Sequence, residues 1–193
     1  MSPARLPSAG AVTGPTASRI PPGGFRELGL TGWLFCKLTA RLEGIPQVHL
    51  FTTLGQHRRL FRAWLPFGAM LLGMGKLPRR DTEVVVLRVA HLRGCAYELQ
   101  QHRRIAKRRG LDNETQARIF AGPTAEGLTK RDCALLSAVD ELIDTRTISD
   151  RGWQELAKYL DRPQIIEFVT LVGQYDALAA TLKTLGVPLD YPE

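Results

Sequence analysis

The last long apolar segment of the chain restricts the fold more than any other feature of the sequence. Residues 163–185 read PQIIEFVTLVGQYDALAATLKTL, with apolar side chains around nearly the whole circumference of a helix. Pro163 suits the first turn of such a helix, and Gly186 and Pro188 end it. Because a helix of this kind has to be enclosed, the segment predicts an all-α fold in which other helices, or another subunit of a homo-oligomer, surround it.

Most of the chain before this segment also has helical periodicity. After Phe25 the apolar residues recur mainly at spacings of three and four. The stretch EVVVLRVAHL at 83–92 is ambiguous, because its β-branched residues favour a strand. No second strand is available to pair with it and helical patterns flank it, so we interpret it as a buried helix. In the segment before it, we expect five apolar side chains to lie in the core: Leu60, Phe61, Trp64, Met70 and Leu71.

The start of the chain differs from the rest in composition. Residues 1–24 are rich in Pro, Gly, Ser and Ala, which predicts a flexible N-terminal lead. Residues 25–193 are then long enough for a single helical domain with a real core.

Charge and cysteine content limit the partners, the compartment and the kinds of site that the sequence predicts. The net charge of +7 and the pI of about 9.7 suit anionic partners. Cys36, Cys95 and Cys133 are odd in number and form no regular framework, which favours a reducing compartment and hence a cytoplasmic location. The Cys and His spacings do not resemble a zinc site, so we expect no metal and no cofactor. We also find no uninterrupted apolar run long enough to predict a membrane span.

Three chemically active side chains recur at helical spacing near the middle of the chain. Gly94 breaks the preceding helix, and Cys95, Glu98 and His102 then share one face of the next, which ends at Gly110. A cysteine at a helix N-terminus is expected to have a lowered pKa. About 10 Å of axial rise separates Cys95 from His102, so Glu98 or a water molecule would have to connect them.

A carboxylate from the preceding helix completes the constellation. If the chain reverses at Leu92–Arg93, an antiparallel hairpin places Glu83 opposite His102. A carboxylate beside an imidazole orients it and makes it a better base. The predicted relay therefore runs from Glu83 to His102, then through Glu98 or water to Cys95. The competing interpretation is a buried, inert cysteine beside an ordinary polar helix face.

The segment DTEVVVLRVAHLRGCAYELQQHRRIAKRRGLDNETQARI resembles the carboxymuconolactone decarboxylase family, which includes alkylhydroperoxidase D. The family motif has a glutamate, a Cys-x-x-Cys pair beginning twelve positions later, and a histidine four positions after the second cysteine. Glu83, Cys95, Glu98 and His102 occupy those positions, and the similarity extends from about Pro46 to Asp190. The resemblance implies an alkylhydroperoxidase D-like helical bundle and a homo-oligomer whose site lies near a subunit interface. It also departs from the family, because Glu98 replaces the second cysteine of the redox pair.

Three functions follow from these observations. The resemblance implies a hydroperoxidase of peroxiredoxin type, in which Cys95 reacts with peroxide and an external thiol reductant resolves the product. The alternative is a non-redox lyase or decarboxylase that acts on a carboxylated lactone-like substrate, with His102 and Glu98 moving protons. For that reaction an arginine would hold the substrate carboxylate, and Arg88, Arg93 and Arg103 are nearest in sequence. Tyr97 is a further candidate substrate contact beside Arg93.

The third hypothesis is a basic binding module without catalysis. The stretch HRRIAKRRG at 102–110 could bind nucleic acid through its charges, but no aromatic residues interleave them. Nucleic acid is therefore the least expected partner, and a small molecule is the most expected one.

Overall fold

The computed structural model describes residues 18–191, and within that range the chain folds into α-helices without β-strands. The predicted all-α fold is confirmed. The nine helices of this range are α1 (Phe25–Glu43), α2 (His49–Leu54), α3 (Arg58–Ala69), α4 (Arg79–Leu92), α5 (Ala96–Arg108), α6 (Asn113–Ala121), α7 (Lys130–Thr145), α8 (Asp150–Leu156) and α9 (Arg162–Leu185). A short π-helical turn, Met70–Met74, continues α3.

The ambiguous stretch at 83–92 is a helix, as predicted. It forms most of α4, and every residue from 81 to 90 is buried because α5, α6, α7 and α9 all pack against this helix. Because this helix is buried on all sides, its β-branched residues are explained by packing in the core, and a strand is not needed to account for them. The polar residues of α4 are paired: Asp81 binds Arg131, and Arg88 forms two 2.7 Å bonds to the carboxylate of Asp140.

Helix α9 is long and apolar, as the sequence predicts. Asp161 and Gln164 form a capping box at its start, and Gly186 with φ 65° ends it. Its length and apolar content would also suit a membrane span, but Phe168, Leu171 and Tyr175 are buried against the other helices. These buried residues form the kind of face that a core helix has.

The chain reverses between α4 and α5 at a glycine. Gly94 has φ 56°, and the next amide, of Cys95, donates a 2.9 Å hydrogen bond back to the carbonyl of Ala90. This pairing closes α4 in the manner of a left-handed C-terminal cap and starts α5 immediately afterwards. The two helices are therefore antiparallel neighbours, which is the arrangement that places Glu83 opposite His102.

Helices α1, α2 and α3 form a second layer with a small aromatic cluster. The rings of Phe35, Phe51 and Phe61 lie within 6 Å of one another, and Trp64 stacks on Phe61. The core prediction for α3 holds only in part. Phe61 and Leu71 are buried, but Leu60 and Met70 are 60% and 47% exposed because α3 packs on one side only. Trp64 is half-buried against the core.

The segment before α1 lies against the end of α9. The amides of Arg19 and Ile20 both donate to the carbonyl of Leu185, and the amide of Gly23 donates to that of Thr52. The part of the predicted flexible lead at residues 1–17 lies outside the described residues, and the division of the chain at residue 25 stays a prediction.

Candidate active site

A buried Glu–His pair stands at the centre of the candidate site. Nδ1 of His102 lies 2.8 Å from Oε2 of Glu83, across the α4–α5 hairpin. The contact confirms the predicted register of the hairpin. Because the carboxylate of Glu83 accepts from the Nδ1 hydrogen, Nε2 of His102 is left as the acceptor that can take a proton.

Tyr175 on α9 occupies that second nitrogen. Its hydroxyl lies 3.1 Å from Nε2 of His102, and the two rings meet edge to face with centroids 5.2 Å apart. Burial raises the pKa of Tyr175 well above its ordinary value, and the nearby Glu98 and Glu83 add to this shift. The phenol therefore stays protonated and donates to His102. No spacing pattern predicts the contact of Tyr175, which lies 73 positions beyond His102.

Glu98 is a buried carboxyl without a local partner. Its side chain is 2% exposed, and neither oxygen has a hydrogen-bond partner among residues 18–191. Burial raises the pKa of Glu98 to about 8; the thiol of Cys95 acts in the opposite direction, and the negative charge of Asp176 contributes to the increase. At neutral pH Glu98 is thus mainly a neutral carboxylic acid that can donate a proton.

Cys95 has the opposite character to the one expected for a reactive thiol. It is 1% exposed and caps α5, the position at which the helix dipole was expected to lower its pKa. Burial instead raises the pKa of Cys95 to about 12, and the charge of Glu98 acts in the same direction. The predicted activation by the helix N-terminus is therefore wrong, because the cost of burying a thiolate exceeds the dipole contribution.

The predicted relay also needs correction at its second step. Nε2 of His102 meets Tyr175, so within residues 18–191 the hydrogen bonds of His102 run to Glu83 and Tyr175 and not to Glu98. Glu98 and Cys95 shift each other's pKa. Glu98 and His102 both line one cavity, whereas Glu83 contacts His102 without forming part of the cavity wall. The structure leaves the sulfur of Cys95 outside that wall.

A cavity of about 580 Å³ opens beside these groups. Glu98, His102 and Tyr175 form one part of its wall, while the aromatic cluster of the second layer and apolar residues of α9 form much of the rest. Within residues 18–191, the wall does not include Cys95. The wall therefore combines a carboxyl, an imidazole and a phenol with a largely apolar surface.

Tyr97 also lines the cavity, as a substrate contact would. Its hydroxyl is already engaged: it donates to Oδ2 of Asp190 at 2.6 Å and accepts from the amide of Leu50 at 3.2 Å. The carboxylate of Asp190 also receives Gln101 and contacts His49, so this network fastens the C-terminal segment to α2 and α5.

The arginines proposed from sequence as carboxylate holders do not line the cavity. Arg88 is bound to Asp140, Arg93 donates from Nε to Asp176 at 2.5 Å, and Arg103 donates to the side chain of Gln116. Two other arginines of α5, Arg104 and Arg108, do line it. Sequence reasoning missed them because it ranked arginines by distance from the motif and not by helix face.

The remaining candidate chemistry is limited. The three cysteines are free, and Cys36 is buried with its pKa raised to about 11 by that burial. Residues 18–191 contain no group of three His, Cys, Asp or Glu side chains arranged to hold a metal ion.

Comparison with known proteins gives a family match over part of the chain and a fold over most of it. Residues 58–141 match the Carboxymuconolactone decarboxylase family. A search of curated protein sequences found no match. The segment that matches the family contains Glu83, Cys95, Glu98 and His102, whereas Tyr175 lies beyond it.

Solved structures similar to this chain extend over nearly its whole length. A peroxidase-related protein of Ralstonia eutropha JMP134, described as an alkylhydroperoxidase AhpD core, aligns with a TM-score of 0.79 and 15% identity, covering 90% of this chain and 93% of that one. A peroxidase-related protein of Silicibacter sp. TM1040 aligns with a TM-score of 0.74 and 13% identity, covering 91% and 95%.

The debrominase Bmp8, whose structure was solved with 2,3,4-tribromopyrrole, aligns with a TM-score of 0.71 and 14% identity, covering 88% of this chain and 90% of that one. At these identities the similarity concerns the fold.

Proposed function

Through residues 58–141 the chain belongs to the carboxymuconolactone decarboxylase family, and from this premise we propose that it transfers protons on a small molecule without thiol redox chemistry. One observation carries the proposal. Glu98 is one of the residues that line the cavity, whereas Cys95, three residues earlier, is not. The reaction class is a non-redox lyase or isomerase.

The proposed chemistry divides the proton transfers between two groups. Glu98 in its neutral form donates a proton to carbon or oxygen as negative charge develops on the substrate. Nε2 of His102, oriented by Glu83, accepts a proton either directly or through the hydroxyl of Tyr175. In a decarboxylation the first step protonates the carbanion or enolate left when CO₂ departs; in an isomerisation both steps occur, and no net proton is consumed.

The cavity supports an organic substrate with a substantial apolar body. Its volume of about 580 Å³ lies in the usual range of small-molecule sites, and much of its wall is aromatic or aliphatic. A protein of similar fold was solved with a halogenated pyrrole, which is also a compact apolar ring. Low polarity around Glu98 and His102 strengthens the electrostatic interactions that a developing charge would make with them.

The thiol peroxidase hypothesis receives less support. That reaction needs the thiolate of Cys95 to attack a peroxide oxygen, which releases an alcohol and leaves a sulfenic acid. At neutral pH a thiol with a pKa of about 12 supplies almost no thiolate. Cys95 is also not among the residues that line the cavity.

Two further features of the chain fit this proposal. The three free cysteines support a reducing compartment, and we keep the cytoplasm as the proposed location. Exposed leucines along α1 and exposed apolar residues on α3 support assembly into a homo-oligomer.

The test compares variants on two assays. One assay measures CO₂ release and deuterium incorporation from a panel of carboxylated lactones and enolisable ketones; the other measures peroxide consumption with dithiothreitol as reductant. We expect His102→Ala and Glu98→Gln to lose about 10²- to 10⁴-fold of the proton-transfer rate. Cys95→Ala should change that rate by no more than about threefold, because its sulfur does not reach the substrate.

Cys133→Ala, which removes a half-buried cysteine away from the site, is the matched control. Peroxide turnover that disappears in Cys95→Ala and persists in Cys133→Ala would overturn the proposal and restore the peroxidase hypothesis.

A further inference from the structure

The wall of the cavity changes its chemistry along α5. At the N-terminal end of this helix Glu98 is buried, and at the C-terminal end Arg104 and Arg108 line the same cavity but are exposed to solvent. Six residues of helix separate Glu98 from Arg104, which corresponds to about 9 Å along the axis. The cavity therefore has a closed end with proton-transfer groups and an open end with cations.

Arg104 is the better placed of the two cations. Its guanidinium carbon lies 3.8 Å from the centre of the Tyr191 ring, which holds the charge at the rim. Within residues 18–191 it forms no ion pair. Arg108 is loosely paired, with Glu43 at 3.9 Å, so the rim still carries net positive charge. The C-terminus of α5 has a negative dipole, which favours these cations but does not neutralise them.

The middle of the cavity offers no charged group to a ligand. The apolar residues of the wall include Ile105 of α5, Leu178 of α9 and Trp64 of α3. A molecule that fills the cavity would thus have an apolar body flanked by two different polar environments.

We propose that the cavity binds an apolar monocarboxylic acid, with its carboxylate on Arg104 at the rim and its hydrocarbon body directed toward Glu98 and His102. This inference rests on the proposed function only in assigning the substrate to the same cavity. Because its only carboxylate is held by Arg104, such a substrate would be isomerised at an enolisable group beside Glu98 and His102 and would not be decarboxylated there. The chain selects its substrate by the apolar length between the carboxylate and that group.

Binding can be measured without turnover. Isothermal titration calorimetry compares decanoate, decan-1-ol and acetate at neutral pH, and the fluorescence of Trp64 reports occupation of the cavity. We expect decanoate to bind about tenfold more tightly than decan-1-ol, because only the acid forms a charge-assisted hydrogen bond with Arg104. Acetate should not bind measurably, since it lacks the apolar body. A Trp64→Phe variant should lose the fluorescence change.

Arg104→Gln should remove the preference for decanoate and leave the affinity for decan-1-ol unchanged, which also shows that the variant is folded. Lys107→Gln is the matched control, because this exposed side chain carries the same charge on the same helix outside the cavity wall. Equal affinities of the acid and the alcohol in the wild-type protein, or equal weakening of both by Arg104→Gln, would overturn the inference.

The experiments distinguish a failure of the acid-binding inference from a failure of the proposed proton-transfer function. Decanoate binding that depends on Arg104, together with proton transfer that is unaffected by His102→Ala, would retain the acid site and reject the catalytic role. Proton transfer that depends on His102, without an acid preference, would reject the acid site alone.

Discussion

The two layers of the molecule use their apolar residues differently. In α4 every residue from 81 to 90 is buried, whereas in α1 only Leu28, Cys36 and Ala40 are buried along nineteen residues. Leu30, Leu34, Leu38 and Leu42 of α1 are all more than half exposed. The α4–α9 layer therefore holds the reactive groups in fixed positions, and the α1–α3 layer supplies cavity wall on one side and an uncovered apolar face on the other.

The largest predicted effect on stability comes from Glu98, because its buried position in the α4–α9 layer suppresses the charge of its carboxyl. Its pKa is about 8 in the folded chain and 4.5 ordinarily, so between these values the native state keeps a proton that the unfolded state releases. The contribution of this group to stability is complete below pH 4.5 and is lost as the pH rises toward 8. We expect the loss to reach roughly 4 to 5 kcal/mol across that range.

Urea unfolding at a series of pH values measures this effect, as the difference between the wild-type protein and Glu98→Gln. The variant cannot ionise at this position and should have a flatter dependence on pH. Glu126→Gln, at an exposed site, should follow the wild-type curve. Parallel curves for wild type and Glu98→Gln would contradict a suppressed charge.

A pair of leucine truncations compares the two layers directly. Leu87 is fully buried in α4 and Leu42 is 76% exposed on α1. Leu87→Ala should lower the free energy of unfolding by about 3 kcal/mol, because a cavity remains in a closely packed core. Leu42→Ala should change it by less than about 0.5 kcal/mol in the isolated subunit. Chemical unfolding followed by circular dichroism, at several protein concentrations, provides both values.

Similar decreases in the free energy of unfolding for Leu87→Ala and Leu42→Ala at low protein concentration would contradict the proposed difference between the two layers. A loss at Leu42 that appears only as the concentration rises would instead show that an oligomer covers α1.

A smaller effect is expected at Tyr175. Tyr175→Phe removes the hydroxyl that bonds Nε2 of His102 and keeps the ring that packs against it. Loss of one hydrogen bond costs about 1 kcal/mol, which corresponds to a roughly five- to tenfold slower proton transfer. Tyr159→Phe, outside the cavity wall, is the control and should have wild-type kinetics. An unchanged rate in Tyr175→Phe would remove the phenol from the proton path.

Local patterns in the sequence were sufficient for the hairpin and insufficient for the cavity. The turn at Gly94 and the helical spacing of α5 determine that Glu83 faces His102, because antiparallel helices pair residues in a fixed register. Tyr175 reaches the same histidine from a helix that lies far along the chain, and no local periodicity encodes that contact. The burial of Cys95 likewise depends on how the whole bundle packs.

The same limit applies to the second layer. Periodicity predicts that α3 is helical but not which of its apolar residues are covered, so the prediction is right for Phe61 and wrong for Leu60. A helix that packs on one side only has spare apolar surface, and amphipathic spacing alone does not distinguish the covered face from a face available to another subunit.

Direct titration of Glu98 tests the central claim, which is that the cavity presents a neutral carboxylic acid and not a thiolate. Carbon-13 labelling of the glutamate carboxyl groups, with Glu98→Gln to assign the resonance, allows its shift to be followed by NMR from pH 4 to pH 10. The structure predicts one glutamate that remains protonated at neutral pH and titrates with a pKa of about 8. Titration of Glu98 near its ordinary value of 4.5 would contradict the account.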